Sequence, residues 1–112
     1  RLKGITWSST VQNPQPQMLE ALLHTLNTDS NVNVRLSAVD ALYLFSDDPM
    51  DKKGIMESLP KQRSPQVQVA LIDLLVELRE KRAAESLKKL IQKEKINPVV
   101  KQRAQIGLKT LI

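Results

Sequence analysis

Asn31-Val32-Asn33-Val34-Arg35-Leu36-Ser37-Ala38-Val39-Asp40-Ala41-Leu42 is the stretch that decides the fold. It aligns without a gap on Ser64-Pro65-Gln66-Val67-Gln68-Val69-Ala70-Leu71-Ile72-Asp73-Leu74-Leu75. It aligns again on Asn97-Pro98-Val99-Val100-Lys101-Gln102-Arg103-Ala104-Gln105-Ile106-Gly107-Leu108, at a constant spacing of 33 residues. A fixed period of about 20–50 residues marks a stacked-repeat architecture, and three units are about the minimum for stability. One unit cannot bury its apolar face alone, so neighbours bury it for each other.

Each block opens on a helix-capping residue: Asn31, Ser64 and Asn97. Pro65 and Pro98 follow two of them, where a missing N–H costs nothing and φ already suits a first turn. Apolar residues then recur at helical spacing. The stripes are Val34, Ala38, Ala41, Leu42 and Phe45, then Val67, Leu71, Leu74, Leu75 and Leu78, then Val100, Ala104, Gly107, Leu108 and Leu111. They predict long helices over roughly 32–46, 65–79 and 98–111. Shorter helices precede them. Met18, Leu19, Leu22, Leu23 and Leu26 mark the first; Asp48-Pro49 opens the second, which stops at Pro60; Ala83, Ala84, Leu87, Leu90 and Ile91 mark the third. No alternating β-branched run argues for a strand. The fold expected is all-α, a superhelical solenoid of three helix–turn–helix repeats over 15–47, 48–80 and 81–112, with a cap or linker over 1–14. Leu2, Ile5, Trp7 and Val11 are the apolar residues of that cap, and a large aromatic such as Trp7 is read as cap or core.

The first block, in which five residues separate Asp29 from Arg35, with Val34 before the Arg and then Ala38 and Ala41-Leu42, resembles the HEAT repeat. The likeness covers residues 15–112 and is similar in compactness to the short bacterial repeats grouped with phycobilisome-lyase HEAT-like proteins. The family's Asp and Arg positions hold Gln62 and Gln68 in repeat two, and Lys95 and Lys101 in repeat three. A continuous Asp–Arg ladder is thereby interrupted, and packing is expected to carry more of the stack. Arg1-Leu2-Lys3-Gly4-Ile5-Thr6-Trp7-Ser8, leading into such repeats, resembles the HEAT portion of bacterial membrane-anchored anti-sigma or zinc-finger regulators. That likeness implies a docking or sensing segment of a larger regulator, tethered to the inner membrane by sequence upstream of Arg1.

Three sectors divide each long helix at about 100° per residue. The stripes above face the short helix of their own repeat. A second sector holds Leu36, Val39 and Tyr43, then Val69, Ile72 and Val76, expected to be covered by the next repeat. Repeat three has Gln102, Gln105 and Lys109 there, so it is expected to be a C-terminal cap with those three exposed. The third sector is left free: Asn33, Ser37, Asp40 and Leu44; Gln66, Ala70, Asp73 and Glu77; Val99, Arg103, Ile106 and Thr110. It reads as mostly polar, acidic over its first two-thirds and basic at Arg103. The HEAT likeness implies that this ridge lines the concave surface, the usual binding face of a solenoid. Asn33, Ser37, Asp40, Gln66, Asp73, Glu77 and Arg103 are therefore the candidate partner-binding residues, set against a reading as merely solvated positions.

Charge and motif content narrow the function. The net charge of +5 is uneven: ten Lys or Arg from Arg79 onward face three Glu, +7, which leaves −2 for residues 1–78. A basic end attracts nucleic acid or anionic surfaces, or simply keeps helices soluble. With one Trp, one Tyr and one Phe, base stacking has little to work with. There is no Cys, so disulfides and thiolate metal sites are excluded, while the compartment stays open. The single histidine, His24, has no second His or Cys to join it, so no metal site is expected. Asp47-Asp48 lacks the spacing of a calcium loop and reads as capping before Pro49. Gly4, Gly54 and Gly107 are isolated, so no phosphate-cradling loop is present; Gly54 and Gly107 are expected at close helix contacts. No Ser has an elbow motif or a base to activate it. A non-enzymatic protein-interaction scaffold without cofactor is the expectation. Nucleic-acid binding through the basic C-terminal third is the alternative, and a bilin-lyase-like enzyme is what the short-repeat likeness would further permit.

Overall fold

The computed structural model describes residues 16–46 and 49–112, and all its regular structure there is helical. In chain order the helices are α1 Pro16–Thr28, α2 Val32–Phe45, α3 Pro49–Ser58, α4 Pro65–Glu77, α5 Ala83–Ile91 and α6 Pro98–Leu111. A 3₁₀ turn, Leu59–Lys61, continues α3. Pro60 has no N–H to extend the α-helical ladder, which accounts for the change of pitch. The expected cap over 1–14, Trp7 included, and the Asp47-Asp48 pair lie outside the described residues.

The long helices start where their caps dictate. Asn31 Oδ1 accepts from the N–H groups of Asn33 (2.8 Å) and Val34 (3.4 Å). Asn97 Oδ1 does the same for Val99 (2.8 Å) and Val100 (3.3 Å), and Ser64 Oγ accepts from Val67 at 3.4 Å. Each cap satisfies donors that a helix start leaves free, worth typically about 1 kcal/mol.

Helices α1 and α2, α3 and α4, and α5 and α6 pack as pairs. The long helices also pack on one another in the order α2, α4, α6, while α1 meets α3 and α5 meets the 3₁₀ turn. The result is two layers with the core between them. Leu26, Leu42, Ile55, Leu71, Leu75, Leu87 and Val100 are fully buried there. Burying one such side chain contributes roughly 1.5–3 kcal/mol.

Two positions depart from the sector reading. Val34 is 39% exposed, whereas its equivalents Val67 and Val100 are fully buried. In α6 the same stripe touches the preceding long helix: a Cβ built on Gly107 would stand 3.0 Å from Val76 and 3.3 Å from Ile72 of α4. Helix α2 has no preceding long helix among the described residues, so Val34 lacks that cover. Tyr43, expected under the next repeat, is 48% exposed. It lies in an open groove with Ala70, Asp73, Leu74 and Glu77 of α4, which line the groove without covering the phenol ring. Gln102, Gln105 and Lys109 are exposed as expected. The expected close contacts at the helical glycines are also present, Gly54 against Leu23 and Gly107 against α4.

Polar contacts join the helix pairs in two different ways. Arg35 Nε donates to the carbonyl of Asp29, and Gln68 Nε2 donates to the carbonyl of Gln62 at 3.0 Å. These are the same contact one period apart, a clasp within each pair and not a ladder between pairs. Between the first and second pairs, Gln62 Nε2 donates to Asn27 Oδ1 (2.9 Å), Asn27 Nδ2 donates to Ser58 Oγ (3.0 Å), and Ser58 Oγ donates to the Gly54 carbonyl (2.9 Å). Packing is therefore supplemented by a part-buried amide network.

The second joint is ionic. Helix α4 ends with Arg79 in the left-handed region (φ 55°). Arg79 N–H donates to Val76 O and Glu80 N–H to Leu75 O, the paired bonds of a Schellman terminus. The turn sends Glu80 inward, where its side chain is buried. Arg82 grips both its carboxylate oxygens at 2.8 Å and donates from Nη2 to the Pro49 carbonyl at 3.0 Å. The third helix pair is thus tied to the start of the second.

Candidate functional site

The face of α2, α4 and α6 turned away from the short helices is exposed along its length. Asn33, Ser37, Asp40, Gln66, Asp73, Glu77 and Arg103 all lie in solvent on it, as the sector argument required. They are not equivalent in surroundings. Asp40, Asp73 and Glu77 line one groove of about 580 Å³ between the C-terminal halves of α2 and α4. Its walls are Val39, Tyr43, Leu44, Ala70 and Leu74. Asn33, Ser37 and Gln66 sit toward the helix starts, outside that groove. The Asn33 N–H serves the Asn31 cap, and the Ser37 hydroxyl donates to the Asn33 carbonyl at 3.0 Å. Those two positions are occupied with local helix structure.

Asp73, Glu77 and Arg103 line a second groove of about 310 Å³ between α4 and α6, with Val76, Ile106, Gly107 and Thr110. Here Arg103 Nη1 donates to Asp73 Oδ2 at 2.5 Å, bridging α4 and α6. The ridge is therefore not an acidic strip followed by a basic end. Asp73 and Arg103 neutralise each other, and among the described residues Asp40 and Glu77 have no ion-pair partner.

The ridge is mostly polar, with apolar side chains interspersed. Tyr43, Leu44 (67% exposed), Val99 and Ile106 are large exposed apolar side chains on or beside it. Leu44 and Ile106 already stood in the third sector; Tyr43 was assigned to the covered one. A signal was present in the sequence, because Leu44, Ala70, Val99 and Ile106 fall in a sector whose exposed positions need not be apolar.

Elsewhere, Arg63, Lys93 and Lys95 line a pocket of about 440 Å³ at the starts of α4 and α6, with no carboxylate in its lining. His24 is exposed on α1. Among the described residues no three His, Asp or Glu side chains gather to hold a metal ion, and no helix is long and apolar enough to cross a membrane. The Glu80 carboxyl is clearly perturbed. The Arg82 hydrogen bonds hold its pKa below the ordinary value, against the opposing effect of burial, and the Arg82 pKa is raised in turn by the same bond. That pair is a structural bracket away from the exposed face. No protein-family model, curated protein or solved structure matches the chain.

Proposed function

We propose that this chain is a HEAT-like solenoid module that binds a protein partner through the exposed face of its long helices, without catalysis of its own. The observation that carries the reading is the α2/α4 groove: apolar walls beside Asp40 and Glu77, two carboxylates with no ion-pair partner among the described residues. Exposed contiguous apolar surface rimmed by polar groups marks interaction sites on soluble proteins. Repeat stacks use such faces for binding, because successive helices present the same sector side by side. The 33-residue period, the capped long helices and their serial packing support the solenoid reading.

Affinity capture from source-cell lysate tests it, with wild type run beside the Asp40→Lys/Glu77→Lys variant and nuclease-treated controls. Asp73 is left intact because its reversal would also break the bridge to Arg103. A protein held by wild type and lost from the variant, at equal helical content, is the expected result. Capture unchanged by the variant removes the groove as the site.

A second reading has an observation of its own. Arg63, Lys93 and Lys95 converge on one pocket with no acidic neighbour in its lining, which suits a phosphate-bearing ligand such as nucleic acid. Binding through phosphates alone would fall steeply with salt, and nuclease treatment would abolish the capture.

A further inference from the structure

The α2/α4 groove has a candidate occupant within this chain. Residues 1–15, Arg-Leu-Lys-Gly-Ile-Thr-Trp-Ser-Ser-Thr-Val-Gln-Asn-Pro-Gln, contain no acidic side chain. They carry two cations, Arg1 and Lys3, and four apolar residues, Leu2, Ile5, Trp7 and Val11. The groove carries the complement: apolar walls including Tyr43 and Leu44, and the carboxylates Asp40 and Glu77, which have no ion-pair partner among the described residues.

The topology puts the two close together. Helices α1 and α2 pack on each other and are joined by only residues 29–31, so they run antiparallel. They have 13 and 14 residues, so each is about 20 Å long. Pro16 at the start of α1 is therefore level with the last turn of α2, which carries Tyr43 and Leu44. The groove opens at that same end. Packed helix axes lie about 8–10 Å apart, whereas the link from Trp7 to Pro16 can span about 30 Å at roughly 3.3 Å per residue. Reach does not limit the contact.

We infer that the groove between α2 and α4 is the docking site of the chain's own residues 1–15, with Trp7 on the Tyr43–Leu44 wall and Arg1 and Lys3 toward Asp40 and Glu77. The inference rests on the reading of this face as a docking surface and gives the occupant's chemistry, a basic and apolar segment. A partner using the groove displaces that segment, so partner binding there and release of residues 1–15 are coupled.

The sequence supplies its own probes, because Trp7 is the only tryptophan and Tyr43 the only tyrosine. The experiment is steady-state fluorescence of the whole chain, recording the Trp7 emission maximum and Tyr43-to-Trp7 energy transfer, with far-UV circular dichroism as the control for folding. The variants are Leu44→Lys in the groove, Asp40→Lys/Glu77→Lys on its rim, and Val34→Lys on the open edge of the first helix pair. Leu44 and Val34 are both exposed, so neither lysine is forced into the core. The expected result is a blue-shifted Trp7 in wild type that moves to the emission of water-exposed tryptophan in Leu44→Lys. Tyr43 emission should rise with it, the rim variant should follow, and Val34→Lys should leave both signals unchanged. A water-exposed Trp7 in wild type overturns the inference. So does a response to Val34→Lys, which would place the segment as a cap on the first helix pair. Either overturning outcome leaves the partner-capture result standing, so the failure of this inference is distinct from failure of the binding-module reading.

Discussion

The two grooves on the exposed face are built from the same repeat in the same register, yet one is open and the other is bridged. Asp73 of α4 reaches Arg103 of α6, a contact 30 residues along the chain. The residue 30 positions after Asp40 is Ala70, which shares the first groove with it. One difference at an equivalent position thus separates a bridged groove from an unbridged one. The joints on the other side differ as well. The first is held by neutral amides around Gln62, the second by the Glu80–Arg82 bracket. A stack of near-identical units acquires distinct sites because the side chains facing across each joint vary while the backbone register does not.

The largest effect is expected at the floor of the bridged seam. Ile72 is fully buried and lies close to the α6 backbone at Gly107. Ile72→Ala should destabilise the fold by about 2–5 kcal/mol, read from urea unfolding, through lost burial and the cavity left behind. Ala at Gly107 acts on the same contact from the opposite side. Its Cβ would press on the stiff β-branched ends of Val76 and Ile72, and overpacking of this kind costs about 1–3 kcal/mol. Relief of the glycine's helix penalty returns about 1 kcal/mol, for a net loss on the order of 1 kcal/mol. Gly54→Ala is the control: it meets only the terminal methyl of Leu23, which can swing aside, so that variant should be neutral or slightly more stable. Equal losses at both glycines would mean that the α4/α6 approach is not special.

Acid should distinguish the two joints. The folded pKa of Glu80 lies below its ordinary value of 4.5, so its contribution is complete above that value and fades as pH falls through the folded pKa. Glu80→Gln should be less stable than wild type near neutral pH, and the gap should narrow below about pH 4.5. Thermal melts across that range check it; a gap independent of pH would show that the carboxylate charge is not what the bracket uses. The smallest effect belongs to the seam's surface bridge. Arg103 and Asp73 are both about half exposed, so Arg103→Ala should cost no more than about 1 kcal/mol, and less in high salt.

Much of the architecture was legible in the sequence because it is local. Asn31, Ser64 and Asn97 announce three helix starts through residue type alone, and the 3.6-residue periodicity marks the faces between them. The exposed ridge followed from the same periodicity. What was not legible depends on contacts across the stack. The Asp73–Arg103 bridge joins positions that no helical spacing connects. Tyr43 reads as covered because Leu36 and Val39 share its sector, yet it borders the open groove between α2 and α4, whereas its equivalent Val76 lies against Gly107. The inward turn of Glu80 depends on Arg79 adopting a left-handed conformation usually given to glycine, so composition offered no hint of it.

The most direct test of the account is to exchange the character of the two grooves and repeat the partner capture. Ala70→Arg supplies the first groove with the cation that Arg103 gives the second, opposite an Asp at the same 30-residue offset. Ala70→Arg is predicted to fold with unchanged helical content and lose the captured protein, while Arg103→Ala keeps it. Capture that survives Ala70→Arg, or that is lost only in Arg103→Ala, would contradict the assignment of the open groove as the binding site.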